Sequence, residues 1–185
     1  MRRPEDDQDD REVDEWLVGK ARGGNPDAYE VLVRRHQARV YRIALRILGD
    51  PADAEDVTQE VFVQVWSALA GFGGQSAFTT WLYRIAVNRS LNHRRRRRRT
   101  EPIEDHEPVT RIGPEEATVG KARAQATARA IADLPADLRS VFVLHQSEQL
   151  SYQDIGKVLG LSEPTVRGRL ARARRTLLDQ LREWT

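Results

Sequence analysis

Apolar residues recur at spacings of three and four through most of this chain, a period that predicts α-helices. One long helix opens at Asn25-Pro26-Asp27 and lines up Leu32, Val33, Val40, Ile43, Ala44, Ile47 and Leu48. The next runs from Pro51 into the 60s, with Asp50 as N-cap, Pro51 at N1 and Asp53 at N3. On it Val57, Val61, Phe62, Val65, Trp66 and Leu69 share one face, and Asp53, Asp56, Glu60 and Gln64 take the other. After the glycine-rich break at Gly71, Gly73 and Gly74, Ser76 is placed to cap a helix over 77–93, whose Phe78, Trp81, Leu82 and Ile85 fall at core spacing. Tyr83, Arg84, Asn88 and Asn92 cover its remaining surface, beside six consecutive arginines at 94–99. Weaker helical periodicity begins near Val13 and Leu17, after an acidic tail over 1–12 expected to be disordered.

The C-terminal half repeats the helical pattern on a shorter scale. Residues 122–134 predict one helix; Pro135-Ala136-Asp137 opens another with Val141, Phe142 and Leu144 inward; short and long helices then follow over 152–159 and from Glu163 to about 184. The segment 152–170 has the spacing of a helix-turn-helix, with Ile155 and Leu159 inward, Gly156 at a close approach, Gly160 in the turn, and Val166 and Leu170 anchoring the second helix. Ser162 supplies an N-cap, and Pro164 sits in the first turn, where a missing N–H costs nothing. Arg167, Arg169, Arg172, Arg174 and Arg175 are read as outward, those near the start suited to guanine edges in a major groove and the later ones to phosphates. Between the halves, residues 100–118 hold Pro102, Pro108, Gly113 and Pro114 among six acidic side chains, an extended acidic linker. The expected architecture is all-α: two small helical domains, 13–99 and 119–185, joined by that linker, with the helix-turn-helix in the second.

Charge sharpens this picture more than composition does. The net formal charge of +2 over 185 residues conceals segregation: an acidic N-terminus and linker, a cationic run at 94–99, and a basic final helix. No cysteine is present, which excludes disulfides, thiolate metal sites and cysteine nucleophiles. His36, His93, His106 and His145 lack metal-ligand spacing, and no cofactor is expected. No stretch is apolar enough to span a bilayer and no signal peptide opens the chain, so a cytoplasmic location is expected. The mixture of aromatic, amide and cationic groups on the 77–93 helix suits nucleic acid: arginines hold phosphates, amides bond to base edges and rings stack on exposed bases. The acidic row on the preceding helix reads either as a solvated face or as a docking surface for a basic partner. As a metal-dependent nuclease site, Asp53, Asp56 and Glu60 would need a basic or histidine partner that the local pattern does not supply. A stand-alone helix-turn-helix regulator would account for the C-terminal half, and only residues 50–99 discriminate against it.

Three blocks of residues resemble a known family, the extracytoplasmic-function (ECF) sigma factors of the sigma-70 family. Residues 54–62, Ala-Glu-Asp-Val-Thr-Gln-Glu-Val-Phe, look like the family's region 2.2; 78–88, with Trp81-Leu82-Tyr83-Arg84-Ile85-Ala86, like regions 2.3 and 2.4; and 134–175 like region 4. The resemblance implies a non-enzymatic initiation factor that binds core RNA polymerase, recognises the -35 and -10 promoter elements and promotes melting through binding energy. It implies core-polymerase contacts at Asp53, Asp56, Gln59, Glu60 and Phe62. It assigns -10 contacts to Phe72, Gln75, Ser76, Trp81, Tyr83, Arg84, Asn88 and Asn92, and -35 contacts to Thr165, Arg167, Gly168, Arg169 and Arg172. The expected partners are core RNA polymerase, promoter DNA and an anti-sigma factor, and the linker would thread toward the polymerase cleft. Pro164 where many relatives have glycine, Gly168 where serine is usual and a small Ala171 depart from the family pattern and bear on the -35 preference. Gly156, where alanine is common, is expected to weaken its helix by somewhat under about 1 kcal/mol.

Overall fold

The computed structural model describes the backbone of residues 4–100 and 119–182 and the side chains of 10–97 and 126–181. Almost the whole expected linker therefore lies outside the described residues. Within them the chain forms α1 (Pro4–Arg22), α2 (Pro26–Leu48), α3 (Pro51–Leu69), α4 (Phe78–Thr100), α5 (Val119–Asp133), α6 (Ala136–Glu148), α7 (Tyr152–Leu159) and α8 (Glu163–Arg182), with no strand. Helices α1 to α4 pack on one another, and α8 gathers α5, α6 and α7.

The boundaries follow local chemistry. Asn25 accepts a hydrogen bond from the Ala28 N–H at 3.0 Å, and Asp50 accepts from Ala52 and Asp53 at 2.9 and 3.1 Å, each satisfying donors that a helix start leaves unpaired. Ser151 caps α7 through the Asp154 N–H at 3.1 Å while its own hydroxyl donates to the Asp154 carboxylate at 2.7 Å. Gly49 and Gly160 close α2 and α7 at φ of 79° and 68°, the left-handed region that glycine adopts without strain. At Gly156 a side chain would place its Cβ 2.6 Å from the Leu161 carbonyl oxygen. Glycine there lets the turn fold back on α7, a backbone approach that offsets its low helix propensity.

Three element boundaries differ from expectation. First, α1 begins at Pro4 rather than near Val13. The acidic segment is tied down: Arg35 on α2 bonds to Asp10 at 2.8 Å and to Asp14 at 3.0 Å, and buried Asp14 also meets His36 at 2.8 Å. Second, α4 starts at Phe78, so Ala77 rather than Ser76 precedes its first turn, and its carbonyl accepts from Trp81. Third, α4 continues through the arginine run to Thr100.

The core of the first unit is built from Leu32, Val40, Ile43 and Ile47 of α2, Val57, Val61 and Val65 of α3 and Leu82 and Ala86 of α4, most of them inaccessible to water. Burying each large aliphatic contributes about 1.5–3 kcal/mol against the chain's conformational entropy. The same cluster continues into Val141, Val143 and Leu144 of α6, Ile155 and Val158 of α7 and Val166 and Leu170 of α8. The two helical units thus share apolar contact, chiefly α6 on α2 and α7 on α4.

Candidate nucleic-acid interface

Helix α4 carries two polar rows that diverge around its axis. Arg89, His93 and Arg97, spaced by four, turn toward α3. Arg89 Nε donates to Gln64 at 2.6 Å and its Nη1 to Glu60 at 3.3 Å; His93 Nε2 stands 3.2 Å from Asp53; Arg97 donates to Asp53 as well and lies 3.8 Å from Asp50. The acidic row of α3 is therefore partly neutralised from within, through cations that the linear pattern did not align with it. Asp53 and Glu60 take part, while Glu55, Asp56 and Gln59 stay exposed. No group of acidic and histidine side chains able to hold a metal occurs among the described residues.

The second row is Arg84, Asn88 and Asn92, again spaced by four, continued by Arg95 and Arg96, all exposed. It presents cations and amides on one ridge, the chemistry that phosphates and base edges require. Tyr83, expected on this surface, is buried instead at 3 % exposure; burial raises its pKa, and its hydroxyl faces the Arg39 guanidinium. The helical period explains the correction, because Tyr83 follows Leu82 toward the side where the C-terminal unit packs. Phe62, expected on the α3 docking face, is also buried, at 8 % exposure, and its carbonyl accepts the Tyr29 hydroxyl. Trp66, read as core, is 44 % exposed and rests against the Tyr29 ring with centroids 4.7 Å apart.

At the head of α4, Phe72, Phe78 and Trp81 form an aromatic group. The Phe72 and Trp81 rings are 4.8 Å apart and tilted by 32°, and Trp81 keeps part of its surface open. Gln75 is exposed and Ser76 half-buried in the loop before them. Loop and helix start together make a ledge with an aromatic floor and polar rim, as a displaced base would need.

In the helix-turn-helix, Val166, Leu170, Ala173 and Leu177 bury one side of α8. Thr165, Gly168, Ala171, Arg172 and Arg175 are exposed. Arg167 and Arg169, expected to read DNA together with Arg172, take opposite flanks of its face. At 100° per residue they lie about 160° apart around the helix. Arg167 pairs with Glu163 at 3.1 Å and leans over the Tyr152 ring, while Arg169 reaches Asp137 of α6 at 3.6 Å. Gly168, Ala171, Arg172 and Arg175 hold the centre of the open face.

Two sites escaped the sequence pattern. Arg139 of α6 is 1 % exposed and donates to the carbonyls of Ile131, Ala132, Leu134 and, at 2.8 Å, Ile47. Glu148, with its side chain 3 % exposed, pairs with Arg42 of α2 at 3.3 Å, and burial raises its pKa against the opposing pull of Arg42, Arg39 and Arg46. Neither could be read from sequence, because each partner lies far away along the chain.

The family described as Sigma-70 region 2 matches residues 32–100, and that described as Sigma-70, region 4 matches 124–177. The chain is 35% identical over 179 residues to the RNA polymerase sigma-H factor of Pseudomonas aeruginosa, covering 90% of this chain and 93% of that one. The chain belongs to the ECF sigma factors of the sigma-70 family. A second relative, the ECF RNA polymerase sigma-E factor of Escherichia coli, is 34% identical over 177 residues, covering 89% of this sigma factor and 92% of its own length. Among solved structures, CnrH in complex with the cytosolic domain of CnrY superposes with a TM-score of 0.73 at 30% identity, over 94% of this chain and 99% of that one. The sigma factor RpoE of Bartonella quintana, at 23% identity and a TM-score of 0.67, over 83% of this chain and 96% of its own, shares the fold. The ECF sigma factor described here is thus an all-helical RNA polymerase sigma factor carrying regions 2 and 4. Among its described residues no helix is long and apolar enough to cross a membrane.

Proposed function

We propose that this chain binds core RNA polymerase in the cytoplasm and directs it to promoters by reading a -10 element with residues 13–99 and a -35 element with residues 119–185. The observation that carries this reading is the division of α4 into a row that braces α3 and an exposed row of Asn88 and Asn92, headed by Arg84, which also donates to the Lys157 and Val158 carbonyls of α7. Asp56, Gln59 and the outer edge of Glu60 offer the polymerase an acidic patch, with Asp53 holding α3 to α4 behind it. The ledge of Gln75, Ser76, Phe72 and Trp81 receives a base displaced as the duplex opens. Melting is driven by stacking and phosphate contacts rather than by a catalysed bond cleavage, so the chain acts as a binding factor and not an enzyme. In the second unit Arg172, flanked by Thr165 and Gly168, is the direct reader of the -35 element, and Arg167 and Arg169 position the helix. The complex of the similar CnrH chain with a second protein's cytosolic domain supports an anti-sigma partner for this chain too.

Co-purification with core polymerase tests the docking half. Asp56→Arg combined with Gln59→Arg is expected to lower core affinity by about tenfold or more while helicity by circular dichroism stays constant, because rim charges set association but not the fold. Unchanged affinity would remove the α3 face from the proposal.

A further inference from the structure

The first turns of α1 are strongly acidic, and between Arg3 and Lys20 the chain carries a single cation, Arg11. Asp10 and Asp14, one turn apart, fix how this helix is rotated. Arg35 of α2 reaches both, at 2.8 and 3.0 Å, and buried His36 stands 2.8 Å from Asp14. Asp14 is 3 % exposed, so the inner half of this clasp is shielded from water and from salt. Arg11 follows Asp10 by about 100° around the helix, which turns it toward the head of α4. There it lines a cleft of about 480 Å³ together with Gln75, Ser76, Thr80 and Arg84. All five belong to the N-terminal unit, where α1 packs on α4, so the place of Arg11 beside this loop does not depend on the C-terminal unit. Asp10 and Asp14 are engaged by Arg35 and His36, and Arg11 is exposed and makes no ion pair among the described residues.

We propose that Arg11 is a further DNA contact of this sigma factor, holding a backbone phosphate of the strand whose displaced base enters the ledge of Phe72, Gln75, Ser76 and Trp81, and that the clasp of Asp10 and Asp14 on Arg35 positions it there. A guanidinium presents a planar fork of donors that matches two phosphate oxygens at once. Such a contact carries no sequence information; it sets the register in which the neighbouring amide and aromatic groups meet the bases. A base taken out of its stack loses stacking and pairing energy, and contacts to its own backbone on the same side of the protein offset that loss. The acidic start of α1 thereby gains a role that its composition does not suggest: its carboxylates turn inward to α2 and leave its one cation facing the DNA. The contact rests on the reading of the ledge as the -10 site, whereas the clasp does not.

The test uses holoenzyme reconstituted from core polymerase and the full chain, on a promoter recovered from a random library. Single methylphosphonates, each replacing one charged phosphate by a neutral group, are placed along the -10 region of its non-template strand. Arg11→Ala is expected to weaken promoter binding by about tenfold, the scale of one hydrogen-bonded charge, with core affinity unchanged. The slope of log affinity against log salt is expected to fall in magnitude by about one, as the loss of one phosphate contact requires. One methylphosphonate is expected to cost the wild type a similar factor and to cost Arg11→Ala nothing further. Arg22→Ala, the same charge change at the far end of α1, is expected to behave as the wild type. Asp10→Ala loosens the clasp while Asp14 stays on Arg35, and it also removes a negative charge, which by itself tightens DNA binding. A smaller penalty at that one phosphate in Asp10→Ala therefore reports positioning rather than charge, and an unchanged penalty would overturn the positioning. An Arg11→Ala holoenzyme with the affinity and salt slope of the wild type, or with the full penalty at every methylphosphonate, would overturn the contact. A wild type that responds to base changes at -10 but to no methylphosphonate there would overturn Arg11 alone, whereas indifference to both would overturn the -10 reading with it.

Discussion

Arg139 shows how a single side chain can hold a structure through backbone carbonyls. Its guanidinium spends its donors on four backbone carbonyls, in a site where 1 % of the residue is accessible to water. Arg139→Met keeps the volume and removes every donor, leaving buried acceptors unpaired at about 1–3 kcal/mol each where no second donor remains. Because Arg94 still serves Ile47 and Ala132, the expected loss in urea denaturation is on the order of 2–4 kcal/mol with an unchanged m-value. A loss below about 0.5 kcal/mol would mean that water satisfies those carbonyls. Arg172 is the corresponding residue for recognition, exposed at the centre of the α8 face while Arg167 is occupied by Glu163 and Tyr152. Arg172→Ala should cost about 1–3 kcal/mol on the preferred -35 sequence and little on others if the contact is bidentate to guanine. Competition binding across a base-substitution series measures this, and an equal loss on every sequence would make Arg172 a phosphate contact.

At the scale of elements, the boundaries and periods of α2, α3, α6 and α7 were legible because they depend on residues within a few positions of one another. Asp50 is an example: its carboxylate accepts two first-turn N–H bonds at 2.9 and 3.1 Å, as the Asp-Pro sequence implies. Asp50→Ala is expected to lower stability by about 1 kcal/mol, visible as a reduced thermal midpoint. The facing of α4 was less legible. Its core stripe was evident from Phe78, Leu82 and Ile85, yet the assignment of Arg89, His93 and Arg97 to α3 depends on how the two helices cross, which no local pattern encodes. Tyr83 was misplaced for a related reason: its hydroxyl meets Arg39 of α2 close to Glu148 of α6, which lies some sixty-five residues further along the chain. On α8 the helical period that separates Arg167 from Arg169 gives them different neighbours, Glu163 and Asp137.

The whole molecule is governed by the seam between its two units. Glu148 has a raised pKa where α6 meets α2 and returns toward the ordinary glutamate value when the seam opens, because burial is the larger cause and Arg42, Arg39 and Arg46 only partly offset it. The closed form therefore binds the proton more tightly than the open form. Its advantage is fully present below the ordinary glutamate range and is lost as pH rises through the raised value. Stability in urea should accordingly rise as pH falls toward that range, and Glu148→Gln, which is neutral at every pH, should remove this dependence; a wild type and a Glu148→Gln variant with the same pH profile would contradict it. Reaching two DNA elements at once is the work proposed for this sigma factor. The most direct measurement of that assignment is run-off transcription by core polymerase on a random promoter library, with and without the chain. The account predicts transcripts that depend on the added chain, start at a fixed distance from enriched -10 and -35 sequences, and disappear with Arg84→Ala and Arg172→Ala together. Core polymerase that initiates no differently with the chain than without it would contradict the account.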